Sequence, residues 1–430
     1  QSYQVIVDLL TAGHIARPSE VAVSIISLLR QDPAINQVLV YSNSLDELNS
    51  VIDLIEALEP LQVLHRLMRL SPIPDLEIEN IMIDARKTLL RNLAVLEESA
   101  PVEIFLSTLA LHCSVNEYVF FESEEENIRI KELEVKISRA LLIGNQPRTL
   151  DLLILCAYRP PHKYNWNQQI TGLAQFPELQ NRLIEQPHIE AGLINNIKKF
   201  GVVSDTTSKK VKRQYEENPY PRWTKVGVNA PKFLLRDYVV EQSIKLFDDQ
   251  ITKVENLKIL VAGCGTGQQA VEVAGRFSNS DVTAIDLSAA SLAYAKSKTL
   301  EFGVDNIQFL LGDILNTNQR GQQFDIIECT GVLHHMLDPI VGWRALVDIL
   351  RPGGLIQIGL YSDLARGHIT KVKGEIASKK IGCTENEIRE FRRFLAESRD
   401  SSHMKITNHL DFFSTSELRD LLFHAHECSF

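Results

Sequence analysis

Two patterns of apolar residues divide this chain. Up to about residue 200 they recur at helical spacing. Val21–Leu29, Ile52–Leu70 and Ile81–Leu96 each line one face, with Leu89, Leu93 and Leu96 on a common stripe. Pro33, Pro60 and the pair Pro72/Pro74 interrupt that periodicity, since proline supplies no backbone N–H to a helix interior. Pro101 with Glu103 opens a further helix through Phe105-Leu106 to Leu111, both residue types suiting a first turn. Leu152–Cys156 reads as a buried segment stopped by Pro160-Pro161. Residues 1–200 are therefore predicted to be all-helical. No repeat of fixed period is found, although a divergent array of helical pairs would fit.

From Lys258 onward, short continuous apolar runs take over, as in strands buried on both faces. Ile259–Ala262, Val282–Ile285, Ile307–Leu311, Phe324–Ile327 and Leu355–Leu360 alternate with helical stretches, the last run following the turn Leu350-Arg351-Pro352-Gly353-Gly354. Strands alternating with helices predict right-handed βαβ units and a doubly wound, mostly parallel α/β sheet. The first run leads into Gly263-Cys264-Gly265-Thr266-Gly267 and then a helix. Glycines let a backbone approach a ligand closely, and the first helical N–H groups favour an anionic or nucleoside-bearing one. Such a turn also serves simple chain reversal. Asp286 closes the second run roughly twenty residues further on, where a ribose-binding acid belongs.

The stretches VAGCGTG (Val261–Gly267), AIDLS (Ala284–Ser288), LLGDIL (Leu310–Leu315), FDIIECTGVLHHMLDP (Phe324–Pro339) and LRPGGLIQIGLYS (Leu350–Ser362) resemble the class I S-adenosylmethionine-dependent methyltransferases, in that family's order and spacing, over about a quarter of the chain. The resemblance implies a Rossmann-like methyltransferase sheet and S-adenosylmethionine as cofactor. It implies that Gly263, Cys264, Gly265 and Gly267 pass under the cofactor's amino-acid part. Asp286, with Leu287, would accept from both ribose hydroxyls, and Asp313, between Gly312 and Ile314, would read the adenine amino group. Cys329 to Gly331, Thr330 included, would lie beside the methyl donor. A nicotinamide enzyme competes, because Gly265 to Ala270 can be read as GxGxxA. That frame starts two residues late relative to the strand and explains neither GDIL nor LRPGG.

Gly201–Ser208 is a small-residue polar linker, followed by Lys209-Lys210-Val211-Lys212-Arg213, either a solvated helix end or a phosphate site. Gln214 to Trp223 is aromatic and proline-rich. In it, Tyr215, Tyr220 and Trp223 could shield a sulfonium cation and Arg222 could pair with its carboxylate, or the segment could clasp two domains, a role suited to Trp223. With NEYVFFESEEE (Asn116–Glu126) and RDLLFHAHE (Arg419–Glu427), this segment resembles a bacterial methyltransferase group whose N-terminal regions are helical and often tetratricopeptide-bearing. That resemblance predicts three parts: a helical docking or lid domain at 1–200, a linker and aromatic segment at 201–229, and a methyltransferase domain at 230–430. Asn218-Pro219-Tyr220 is not the NPPY motif of adenine or glutamine methylation, whose place after the fourth strand is taken by Glu328-Cys329-Thr330-Gly331.

Glu122-Ser123-Glu124-Glu125-Glu126 is expected to be a solvated helix start rather than a metal site. Thr384 with Glu387, and Ser414 with Glu417, predict capping boxes. No terminal antiparallel hairpin is found between Gly382 and Phe430, so the methyltransferase domain is expected to continue beyond the sequence. Gln1 sits in an apparent helix where a methionine would begin a full chain, which likewise predicts a fragment.

Composition adds limits. The 430 residues suffice for two or more cores, and the net charge of −10, most of it before residue 200, argues against nucleic acid or an anionic membrane as partner. Six scattered cysteines without CxxC predict free thiols in a reducing cytoplasm and no zinc site. No signal peptide or membrane-spanning run is found. Methyl transfer needs a base only if the acceptor is protonated, and His334 and His335 are the candidates, against a packing role for one of them. A protein or peptide acceptor is favoured narrowly over a metabolite, because a large helical domain suits macromolecular docking. A regulatory cofactor-binding module without catalysis is the alternative.

Overall fold

The computed structural model describes residues 2–12, 16–41, 45–227 and 232–430. The 229/230 boundary expected from the sequence lies outside the described residues. The chain forms two compact units, one of residues 1–188 and 371–422 and one of residues 189–370 and 423–430. The first division falls at 188/189 rather than near residue 200. Residues 371–422 belong with the N-terminal helices and not, as the sequence suggested, with the sheet.

The first unit is helical. Pro18–Leu29, Leu48–Leu58, Gln62–Leu70, Leu76–Arg91, Ala100–Val115 and Thr149–Cys156 bury the apolar faces read from the sequence in one core. The Leu76–Arg91 helix stops short of Leu96 because Asn92 turns its amide back onto the Thr88 carbonyl at 2.9 Å. Residues 371–422 join this unit through Glu385–Glu397, Ser401–Thr407 and Thr415–Phe423. Thr384 and Glu387 form the expected capping box, and Ser414 donates to Glu417 at 2.9 Å.

The acidic run is a helix start, but much of it is not solvated. Ser123 and Glu126 make a capping box, and Glu126 is buried, accepting from the Tyr158 hydroxyl at 2.7 Å. Glu122 is also buried and pairs with Arg159 at 2.8 Å and Arg389 at 3.2 Å. Glu117, at φ 55°, accepts from the Ser416 N–H and hydroxyl at 2.9 and 2.7 Å, and Tyr118, at φ 57°, from Arg389 at 2.7 Å. Left-handed backbone at two consecutive non-glycine residues is unfavourable by itself, so these long-range bonds hold it.

In the second unit six strands form one sheet: β1 (Lys198–Lys199), β2 (Leu257–Ala262), β3 (Ser280–Asp286), β4 (Ile307–Leu311), β5 (Phe324–Thr330) and β6 (Leu350–Gly359). Their order is β1-β4-β3-β2-β5-β6, and every pair is parallel. β1 was not anticipated. Alternate residues of β2 face opposite sides: Ile259 and Val261 join the helices Gln268–Arg276 and Ala289–Phe302 in one core, Leu260 and Ala262 join Leu333 and Leu346 in another. That two-sided burial is why the strand reads as an unbroken apolar run. The LRPGG stretch is a bulge inside β6, where Leu350 pairs with Phe324 and Leu355 with Ile326.

Gly201, Val202 and Ser204 are exposed and precede the helix Thr206–Glu217. Brief trypsin-free digestion with a broad-specificity protease should cut first within 201–205. Initial cleavage inside Leu257–Gly359, read by mass spectrometry of the fragments, would contradict this arrangement.

Candidate functional site

The three glycines after β2 all adopt positive φ, which frees the turn from the steric cost a side chain would bring. Each also fits against a neighbour. A Cβ on Gly263 would run into Val332, one on Gly267 would lie 2.5 Å from Ala295 Cβ, and one on Gly265 would lie 2.7 Å from the Tyr220 carbonyl oxygen. The aromatic segment therefore crosses the turn. Thr266 donates its hydroxyl to the Pro221 carbonyl, and Trp223 donates its indole N–H to the Thr266 carbonyl at 3.1 Å. Trp223 is buried against Tyr294 and stacks on Phe302 with ring centroids 5.8 Å apart. These packing partners lie in its own unit. Arg222 pairs with Glu190 at 3.1 Å and lies over the Tyr294 ring. The carboxylate beside its guanidinium in this structure is thus the chain's own Glu190.

Asp286 ends β3, one strand over. Its carboxylate accepts from the Gly265 N–H at 2.8 Å and the Ser288 N–H at 2.9 Å. Burial pushes its pKa up to about 6, with the Glu216 charge adding to it, against the lowering effect of the Ser288, Gly265 and Leu287 N–H groups. Glu216, which sequence reasoning missed, accepts from the Ser288 hydroxyl at 2.8 Å and the Ala290 N–H at 3.2 Å, at the start of the helix Ala289–Phe302. Beside the turn, burial and the Asp286 charge push the Cys264 thiol well up, so Cys264 contributes backbone rather than a thiolate.

At the end of β4, the Gly312 N–H donates to the Asp286 carbonyl at 2.9 Å, and the Phe200 ring fills the space a Gly312 side chain would need. Asp313 is buried and caps the turn by accepting from the Leu315 N–H at 3.0 Å. Ile314 belongs to the core, and Thr330 is exposed, accepting from Gln269 at 3.4 Å.

The two candidate histidines differ. His334 is wholly buried with its ring stacked on Tyr361 at 3.7 Å between centroids. His335 stacks on His424 at 3.6 Å and meets the edge of Tyr215 at 6.4 Å. The Tyr215 hydroxyl lies 3.1 Å from His424 Nε2, and its carbonyl accepts from the Ser288 hydroxyl at 3.0 Å. Tyr215 thus reaches from the end of β3 to the loop after β5. The glycine turn, Asp286, Leu287, Asp313, Thr330, Tyr215 and His335 gather at the carboxyl ends of β2 to β5, the ligand-binding edge of an open α/β sheet. His424 lies in the RDLLFHAHE stretch quoted for a resemblance, but nothing in the sequence paired it with His335, since only the fold brings the two together.

Residues 259–354 match the family model described as a methyltransferase domain. An uncharacterized protein of Synechococcus sp. is 31% identical over 179 residues, 41% of this chain and 43% of its own length. A ubiquinone biosynthesis O-methyltransferase of Marinobacter nauticus is 26% identical over 159 residues, 36% of this chain and 65% of its own length. The chain thus spans less than two thirds of either relative. A solved S-adenosylmethionine-dependent methyltransferase of Clostridium acetobutylicum is 19% identical over 42% of this chain and 59% of its own, with a TM-score of 0.25, too low to argue from. Among the described residues, no helix is long and apolar enough to cross a membrane. The match lies across the sheet, and it joins the strand order, the glycine turn and the acid ending the neighbouring strand in giving residues 259–354 the features of a methyltransferase domain.

Proposed function

We propose that this protein catalyses S-adenosylmethionine-dependent methyl transfer. One observation carries the reading: a largely desolvated carboxylate, Asp286, is tied to the backbone of a positive-φ glycine turn at the end of the adjacent strand. A carboxylate in that setting gains from a pair of hydroxyl donors, which a ribose provides. In this reading Gly263, Cys264, Gly265 and Gly267 hold the amino-acid part, Asp286 and Leu287 the ribose, and Gly312, Asp313 and Ile314 border the adenine. Thr330 and the Tyr215 ring flank the sulfonium.

The cofactor, when bound, supplies an electrophilic methyl carbon, so the chain's own task is alignment and exclusion of water. Tyr220, Pro221 and Trp223 hold a strap over the glycine turn for that purpose. His335 is the residue positioned to take a proton from a protonated acceptor.

A protein or peptide acceptor follows from the size of the helical unit. A small-molecule oxygen acceptor is the second reading, favoured by the O-methyltransferases among the relatives. A cytoplasmic site of action is part of the same proposal, on the six free cysteines. Incubating cell extract with the protein and methyl-labelled cofactor separates the readings by whether label enters macromolecules or metabolites. Tight cofactor binding with no transfer would favour a regulatory module instead.

Binding itself is expected to report on Asp286. Asp286→Ala should weaken S-adenosylhomocysteine binding by about 1–3 kcal/mol. The ribose hydroxyls require the ionised acid, so wild-type affinity should fall as pH drops through about 6, and Asp286→Asn should show a flat profile. Stability without ligand runs the other way. A raised carboxylate pKa means the folded state holds the proton more tightly, a contribution present at low pH and lost as pH rises through about 6. Calorimetry giving equal affinity for Asp286→Ala, or tight NAD binding, would sink the proposal.

A further inference from the structure

The helix Glu124–Leu142 in the first unit carries two apolar faces. Ile130, Leu133, Ile137 and Leu141 recur at helical spacing and are buried in that unit's core. On the opposite side of the helix lie Ile128, Val135 and Leu142, which are 53%, 47% and 86% exposed. They recur at intervals of seven residues, so they make one continuous stripe rather than scattered surface positions. Burial in the chain's own core cannot account for that second face.

The charges of the helix divide in the same way. Glu125 pairs with Arg91 at 2.5 Å and with Arg129 at 3.0 Å. The Tyr164 hydroxyl donates to Glu134 at 2.6 Å, and Lys136 pairs with Asp151 at 2.7 Å. Glu132 and Arg139 run along one border of the exposed stripe, and among the described residues neither has an ion-pair partner.

We propose that this stripe is the contact face of a homodimer, in which the helix Glu124–Leu142 packs antiparallel on the same helix of a second copy of this chain. The spacing fits a two-fold axis through Val135. Ile128 and Leu142 lie equally far from Val135 along the helix, so Ile128 meets the partner's Leu142 while the two Val135 side chains meet on the axis. The charges select the occupant. An antiparallel pair brings the same border of both helices together in reversed order, so each Glu132 meets the partner's Arg139 and two ion pairs form. On the other border Lys131 meets the partner's Ser138, and no like charges are forced together. An unrelated apolar segment would cover the stripe without answering either charge. Three apolar layers make a small contact, so a weak dimer is expected, with a dissociation constant on the order of 1–100 μM. This inference is independent of the methyl-transfer reading.

Sedimentation velocity of the whole chain between about 1 and 200 μM, spanning that constant, should show a monomer passing into a dimer. Val135→Glu places two carboxylates on the axis and should weaken the dimer by about 10- to 100-fold. Its circular dichroism and Tm should match the parent, since the position faces solvent in the monomer. Glu132→Arg and Arg139→Glu should each weaken association by about 3- to 10-fold, and the double exchange should restore it, which no loss of folding can imitate. Register is read by mild oxidation in a Cys383→Ser background, which removes the exposed native thiol. Val135→Cys should crosslink with itself, and Ile128→Cys should crosslink with Leu142→Cys when the two variants are mixed. A chain that stays monomeric throughout would overturn the proposal and leave the stripe to a different partner. A dimer that survives Val135→Glu, or Ile128→Cys crosslinking with itself in preference to Leu142→Cys, would overturn it equally.

Discussion

Glu79→Ala is expected to lower the stability of the helical unit by about 3–5 kcal/mol, the scale for breaking a buried ion pair from one side. Glu79 and Arg392 are both nearly inaccessible, and their contact is bidentate, at 2.5 and 2.8 Å. The guanidinium also donates to the Phe412 carbonyl at 2.7 Å and lies over the Phe412 ring. Truncating Glu79 would leave that charge desolvated and short of its main partner. Replacing both groups by apolar residues of similar volume, Glu79→Leu with Arg392→Met, should recover much of the loss, because the desolvation cost disappears with the pair. Urea titration followed by circular dichroism measures both. A single variant within 1 kcal/mol of the parent, on the order of a surface pair, would mean the pair is open to water in solution.

Trp223→Ala is the second large effect. Deleting a buried aromatic typically costs about 3–5 kcal/mol, and Trp223 fills the space among Val226, Val271 and Tyr294. The same side chain also holds the glycine turn through Thr266. Loss of stability should therefore come with weaker S-adenosylhomocysteine binding, not with binding left intact as a purely peripheral clasp would predict. Trp223→Phe separates the two parts: the ring stays and only the N–H is lost, costing about 1 kcal/mol. Denaturant titration paired with calorimetry on both variants is the measurement. Unchanged affinity in Trp223→Ala would show that the turn keeps its shape without the indole.

The sheet was legible because its signals are local. Five strands announced themselves as apolar runs, and Gly263, Gly265, Gly267 and Asp286 stood at fixed offsets from two of them. β1 escaped because two lysines carry no apolar pattern, and only the neighbouring edge of β4 makes them a strand. The capping box at Thr384 was readable for the same local reason, whereas the partner of the helix it starts was not. Arg392 looks like any surface arginine until Glu79 is brought to it. The site shows the same split. Backbone-defined parts were found, but the partners of Arg222 and His335, namely Glu190 and His424, depend on contacts between segments far apart in sequence.

The return of residues 371–422 to the helical unit has a bearing on biosynthesis. The chain starts one unit, makes the sheet of the other, goes back to finish the first, and ends in the second. Glu79 leaves the ribosome 313 residues ahead of Arg392. During that interval Glu79 has no Arg392 to pair with, and the surface that residues 371–422 later cover stays open while β2 to β6 are made. Contacts of such separation slow assembly and prolong the exposure of apolar surface. Nascent chains released before residue 392 should accordingly bind chaperones or be degraded, even though β1 to β6 have already been made.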